Sequence, residues 1–154
     1  TTAYVPKMRF GMLFTARDLA LTAGFKTAAK FTNELHRNGL PFGKGLRVGN
    51  TKRYGPVDLA KAIVMGRLRG FRIPVTQYKN LIDQIDETAL ASALDQFEAG
   101  EVKCVLVGVP SWNDLDDFSG VFTSREAALE AMTEADFILI DVGELTQAHL
   151  QGVI

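Results

Sequence analysis

Residues 14–54, FTARDLALTAGFKTAAKFTNELHRNGLPFGKGLRVGNTKRY, decide how this chain is read. Thr15 stands before a run in which Leu19, Ala20 and Ala23 share one face, so it is expected to cap a first helix that Gly24 ends. A second helix is expected over residues 27–37. Phe31 and Leu35 are spaced i, i+4, with Ala28 on the same side, and that stripe faces a core. Lys26, Lys30, Asn33 and Arg37 form a polar, mostly cationic stripe on the opposite side. Asn38-Gly39 closes the helix. The stretch from Leu40 to Tyr54 is rich in glycine and basic residues, and Gly49-Asn50 suits a two-residue hairpin turn. Arg47 and Val48 precede that turn and Thr51, Lys52, Arg53 and Tyr54 follow it, which makes a short, basic β-hairpin.

Working outward, Pro56 introduces a helix over residues 57–69 whose buried stripe is Leu59, Ala60, Ile63, Val64 and Leu68. Gly70 ends it. Pro74 opens another helix carrying Val75, Tyr78, Leu81, Ile82 and Ile85, with an interruption expected at Asp86 to Thr88. Leu90, Leu94 and Phe97 continue an apolar face until Ala99-Gly100 breaks it. Residues 102–109 form a continuous apolar run typical of a buried strand, followed by a polar loop to Ser119 and a short strand at 120–122. Thr123 and Glu126 have capping-box spacing before a helix to about Met132. A second buried strand is expected over 137–142 and a terminal helix over 144–151. Residues 1–13 read as an arm or a short strand. The fold class expected is α+β. A winged helix-turn-helix domain spans 1–82, a helical connector 83–100, and a small acidic α/β domain 101–154.

Charge divides at nearly the same place. Up to Ile82 there are 15 Lys+Arg against 3 Asp+Glu, a formal +12; from Asp83 onward there are 2 against 15, a formal −13. The net charge of −1 conceals this split. A basic half points to a polyanionic partner, and an acidic half points to a different task. Hydrophobic content of 47% is ordinary for a folded domain and argues against disorder. No apolar run approaches the roughly 18–20 residues of a membrane span, and no secretory leader is visible. The single Cys104 offers neither an internal disulfide nor a zinc set, which fits a reducing cytoplasm.

A helix with a cationic stripe followed by a basic hairpin is what duplex recognition requires. Lys and Arg neutralise phosphates without regard to sequence. In the major groove Asn pairs with adenine and Arg with guanine through bidentate hydrogen bonds. Here the chain resembles the DNA-binding domain of MerR-type transcriptional regulators and their excisionase-like relatives, in bacteria or phage. The matching residues are Phe14-Thr15-Ala16-Arg17-Asp18-Leu19-Ala20 with Ala23-Gly24-Phe25, and Gly39-Leu40. Arg53-Tyr54-Gly55-Pro56-Val57-Asp58-Leu59 and Leu68-Arg69-Gly70-Phe71-Arg72-Ile73-Pro74 complete the ordered series over residues 14–82.

By that resemblance residues 26–37 hold the recognition helix, and Arg53 and Tyr54 contact or position the DNA backbone. The family implies a homodimer on a pseudo-palindromic site, joined through an antiparallel helix pair. Here the dimer helix is the segment from Val75 to Ile85 or the one after it. The expected DNA-binding residues are Arg17, Lys26, Thr27, Lys30, Asn33, Arg37, Lys44, Arg47, Lys52, Arg53 and Tyr54. Arg67, Arg69 and Arg72 are expected either to add backbone contacts or to pair with acidic groups.

His36 and His149 lack metal-like neighbours and read as surface or interface residues. Cys104 reads as small core filler. Asn113, Asp114, Asp116 and Asp117 beside Trp112 match no complete calcium loop, so a solvated loop is the expectation. No nucleophile–base set is visible, so neither an enzyme nor a cofactor is expected. The acidic half is left to assemble protomers, bind an effector, or recruit RNA polymerase or another protein. A location with the nucleoid in the cytoplasm follows from the leading expectation, a sequence-specific regulator. An architectural or excisionase-like DNA-binding factor and a protein-interaction adaptor are the alternatives.

Overall fold

Capping chemistry sets the first elements of the computed structural model, which describes residues 14–40, 42–43, 46–49, 51–110, 119–131 and 137–150. The Thr15 hydroxyl accepts from the Asp18 N–H at 3.2 Å, and the Asp18 carboxylate accepts from the Thr15 N–H at 2.9 Å. This reciprocal box starts α1 (Ala16–Thr22). Thr27 caps α2 (Ala28–Asn38) by accepting from the Lys30 N–H at 3.1 Å. The turn between the helices passes through Gly24 at φ +87°, and α2 stops at Gly39 at φ +58°, both left-handed positions that suit glycine.

β1 (Leu46–Val48) and β2 (Thr51–Arg53) pair antiparallel, and the Val48–Thr51 register leaves a two-residue connection. Phe14 and Tyr54 form an isolated antiparallel bridge, so the chain before α1 and the chain after β2 are tied together. Both residues are buried. The next helix, α3 (Pro56–Gly70), has Pro at its first turn and is buried along most of its length. It packs against α1 on one side, and against α4 (Val75–Asp83) and α5 (Glu87–Glu98) on others. Gly66 permits the approach to α1: a Cβ there would lie 2.6 Å from the Thr22 carbonyl oxygen.

A three-stranded antiparallel sheet of order β4-β3-β5 completes the fold. Its strands are β3 (Leu106–Pro110), β4 (Gly120–Phe122) and β5 (Phe137–Asp141). α6 (Arg125–Ala131) follows β4 and α7 (Val142–Leu150) follows β5. The fold class is thus α+β, as the pattern of elements implied.

The core is one cluster. Leu59, Ile63, Val64 and Leu68 of α3 belong to it together with Val105, Val107, Val109, Ile140 and Val142. α7 packs directly on α3, and the Ser119 hydroxyl donates to the Leu81 carbonyl at 2.7 Å. The division at 83–100 expected from charge is therefore a division of surface, while the apolar interior continues across it.

Several local expectations are corrected. The apolar run from Val102 becomes strand only at Leu106; residues 101–103 are a bend after α5. Ser124, rather than Thr123, caps α6 by accepting from the Ala127 N–H at 3.1 Å. The break between α4 and α5 falls at Gln84 to Asp86, because Asp86 is itself the cap of α5 and accepts from the Ala89 N–H at 3.1 Å. The terminal helix begins at Val142, whose N–H and that of Gly143 both donate to the Val105 carbonyl. Residues 1–13, Lys44, the acidic loop from Asn113 to Asp117, and the His149 side chain lie outside the described residues.

Candidate nucleic-acid interface

The position of α2 is set from beneath. Phe31 is fully buried, and its ring meets Phe25 and Phe42 edge-on, each with centroids 5.5 Å apart. With that face held down, the opposite face is fixed outward. Lys30, Asn33 and Arg37 of α2 are exposed, as the helical spacing predicted; Lys26 is exposed too, but it precedes the extended cap residue Thr27 and so lies outside the helix. Ala29 and His36 fall on the same exposed side, between those residues. His36 had been assigned only to unspecified surface; its place in the stripe follows from its spacing of three from Asn33. Lys30 and Arg37 are separated along the helix by about 10 Å, at the standard rise of about 1.5 Å per residue.

Acidic interference with this stripe is small. Glu34 is half-buried and accepts from the Asn38 side-chain amide one turn on, instead of reaching back to Lys30. Thr27 is exposed, but its hydroxyl is engaged as the helix cap. Arg17 is exposed on α1.

On the hairpin, Arg47 and Lys52 are direct cross-strand partners and both are exposed. Their side chains therefore leave the same face of the ribbon. Two like charges placed opposite each other destabilise a two-stranded ribbon unless a counter-charge lies between them. That arrangement suits an anion. Arg53 is half-buried and has interactions of its own at the base of the hairpin.

Tyr54 corrects an expectation. It was assigned to the interface with Arg53, but its residue is only 6% exposed, and its ring belongs to the core. Burial, and then the nearby Asp58 carboxylate, push its phenol above the ordinary tyrosine value. The backbone bridge to Phe14 gives it a positioning task. Arg69 is corrected as well. Its Nη1 donates to the Ala23 carbonyl at 2.8 Å and its guanidinium lies over the Phe25 ring, so it holds the turn between α1 and α2. A spacing argument does not reveal this, because the partners are 46 residues apart in the chain.

The expected dimer helices are also accounted for differently. Tyr78 and Ile82 of α4, and Leu90, Ala93 and Leu94 of α5, are buried within this chain. Burial also raises the Tyr78 phenol, with Glu34 adding to the effect and Arg69 opposing it. Neither apolar stripe is left whole for pairing with a second copy.

In the first turn of α3, Asp58 accepts from the Gly43 N–H at 3.0 Å. Lys61, 3% exposed, is paired with Glu87 at the start of α5. Among the described residues no group of three or more His, Cys, Asp or Glu is arranged to hold a metal ion, and no helix is long and apolar enough to cross a membrane. Cys104 is half-buried and donates weakly to the Thr123 carbonyl. No family model matches the chain, and no curated protein or solved structure matches it.

Proposed function

We propose that this protein is a sequence-specific double-stranded DNA-binding regulator of winged helix-turn-helix build. In this reading α1 and α2 are the helix-turn-helix, α2 is the recognition helix, and β1–β2 is the wing. The observation that carries it is the exposed stripe Lys30, Asn33 and Arg37 on a helix pinned from below by Phe31, with the exposed Lys26 just before its cap. The cross-strand pair of Arg47 and Lys52 adds a second cationic element. Lys and Arg on both elements supply phosphate affinity, and Asn33 is the base reader. The acidic surface beyond Asp83 is kept away from the duplex by like-charge repulsion.

The test is titration of labelled duplex at two salt concentrations, followed by selection from a random pool. Affinity that falls steeply with salt and a defined selected motif support the proposal; binding indifferent to salt sinks it. A regulator on a pseudo-palindromic site requires a homodimer and gives a symmetric footprint. The internal burial of the α4 and α5 stripes favours a second reading, an excisionase-like or architectural factor that binds without the antiparallel helix pair. One protomer per site, with DNA bending and an asymmetric footprint, selects that reading.

A further inference from the structure

The first turn of α3 meets α5 and α7 around a cavity of about 70 Å³. Its apolar lining includes Val57, Leu94 and Phe97, and Ala91 stands on the same face of α5, one turn before Leu94. Thr146 on α7 also lines it. That residue is 3% exposed, and its hydroxyl has no hydrogen-bond partner. Buried hydroxyls are nearly always paired, so one that lines a cavity without a partner marks a place where a guest completes the bonding. The space exceeds the roughly 10–15 Å³ that one water needs but is about half of the roughly 150 Å³ that holds benzene, so a guest of about three non-hydrogen atoms fits.

We infer that this cavity binds a small, uncharged molecule of about three non-hydrogen atoms with one hydrogen-bonding group, a short-chain alcohol by class. Its carbon chain packs against Val57, Leu94 and Phe97, and the hydroxyl pairs with Thr146. Asp95 and Glu98 also line the cavity and repel an anion. The site adjoins the root of the hairpin, because Val57 stands three residues after Tyr54, which bridges to Phe14. Nothing in the inference depends on DNA binding, and its test contains no DNA.

The test uses the whole chain and ethanol, followed by methyl NMR and thermal unfolding. Saturable shifts confined to Val57, Ala91, Leu94 and Thr146, with a raised Tm, are expected. Ala91→Leu, which fills the cavity, abolishes them while leaving the rest of the spectrum in place. Thr146→Val, an isosteric change, weakens ethanol by about five-fold or more through loss of the hydrogen bond, with binding of its isostere propane unchanged. Formate, an anion of matching size, gives no saturable shift. Shifts that never saturate, that spread over the surface, or that persist in Ala91→Leu overturn the site. Equal weakening of ethanol and propane by Thr146→Val overturns the hydrogen bond assigned to it.

Discussion

The guanidinium carbon of Arg69 lies 3.7 Å from the centroid of the Phe25 ring. The same side chain hydrogen-bonds the Ala23 carbonyl, so one residue of α3 holds both sides of the α1–α2 turn. Phe25 in turn meets Phe31, and Phe31 meets Phe42. The orientation of the exposed α2 stripe is thus set by a chain of contacts that begins on another helix. Arg69→Ala removes a charge-assisted hydrogen bond and a cation–π contact, and is expected to lower stability by about 2 kcal/mol. Arg69→Lys recovers only part, since an ammonium cannot stack and bond at once. Denaturant titration measures both. If DNA binding is the function, the loss in affinity should be similar for every duplex, because no base contact is touched.

Gly66 and Gly70 form a matched pair on α3. A Cβ at Gly66 meets backbone, the Thr22 carbonyl oxygen at 2.6 Å, whereas one at Gly70 meets nothing within 4 Å. Ala is the better helix former at both, by about 1 kcal/mol in a helix interior. Gly66→Ala should nevertheless destabilise by about 1–3 kcal/mol, because α1 must move away from α3. Gly70→Ala should be neutral or stabilising by up to about 1 kcal/mol, with end fraying reducing the gain. Similar unfolding midpoints for the two variants would remove the close α1–α3 packing from the account.

Features fixed by a few adjacent residues were legible in the sequence. Thr15 and Thr27 cap helices because a hydroxyl reaches N–H groups three residues on, and Gly24 and Gly39 end their turns because only glycine accepts a left-handed backbone at low cost. The exposed stripe on α2 followed from the same short-range periodicity. Roles that depend on distant partners were not legible. Tyr54 has the look of a surface residue beside Arg53 until Phe14 bridges to it, and the α4 stripe looks free until α3 covers it. Charge patterning located the change of surface near Asp83 but could not show that Val105, Val107 and Val142 share a core with Leu59.

Lys61 and Glu87 make an unequal ion pair: the lysine side chain is 4% exposed and the glutamate 59%. Loss of the buried partner is cheap when an apolar chain of similar volume replaces it, so Lys61→Met should change stability by less than about 1 kcal/mol. Glu87→Gln leaves an ammonium buried with a weakened counter-charge and should cost more, about 1–3 kcal/mol. Chemical denaturation of the two variants gives the order. The reverse order would mean that Glu87 contributes little to the stability of the fold around Lys61.

Asp58 gives a pH dependence with a definite sign. Burial raises its carboxyl above the ordinary value; the Gly43 N–H and Lys61 oppose that, and Glu87 reinforces it. A carboxyl whose folded value lies above its unfolded one favours the fold when protonated. This contribution is present below the unfolded value and is lost as pH rises through the folded one. Carboxyl NMR should place the Asp58 midpoint above that of a model aspartate. Asp58→Asn keeps an acceptor for Gly43 and should flatten the stability curve in that acidic window. A midpoint at or below the ordinary value would contradict the burial assigned to it.

Arg47 and Lys52 separate folding from binding within one residue pair. As cross-strand like charges they strain the hairpin, so Lys52→Ala should raise stability slightly, by about 0.2–0.5 kcal/mol. As phosphate contacts they should act in the opposite direction on affinity. With about five cations at the duplex, the slope of log K against log salt should be about −4.5, and Lys52→Ala should make it shallower by about 1. The weakening should be uniform across sequences, whereas Asn33→Ala should change which sequences are selected. A variant that is more stable, binds more weakly and has a shallower salt slope would show that the paired charges are held apart from acidic neighbours for the sake of an external anion. A stabilised variant with unchanged affinity and slope would remove the hairpin from the interface and leave α2 alone to carry it.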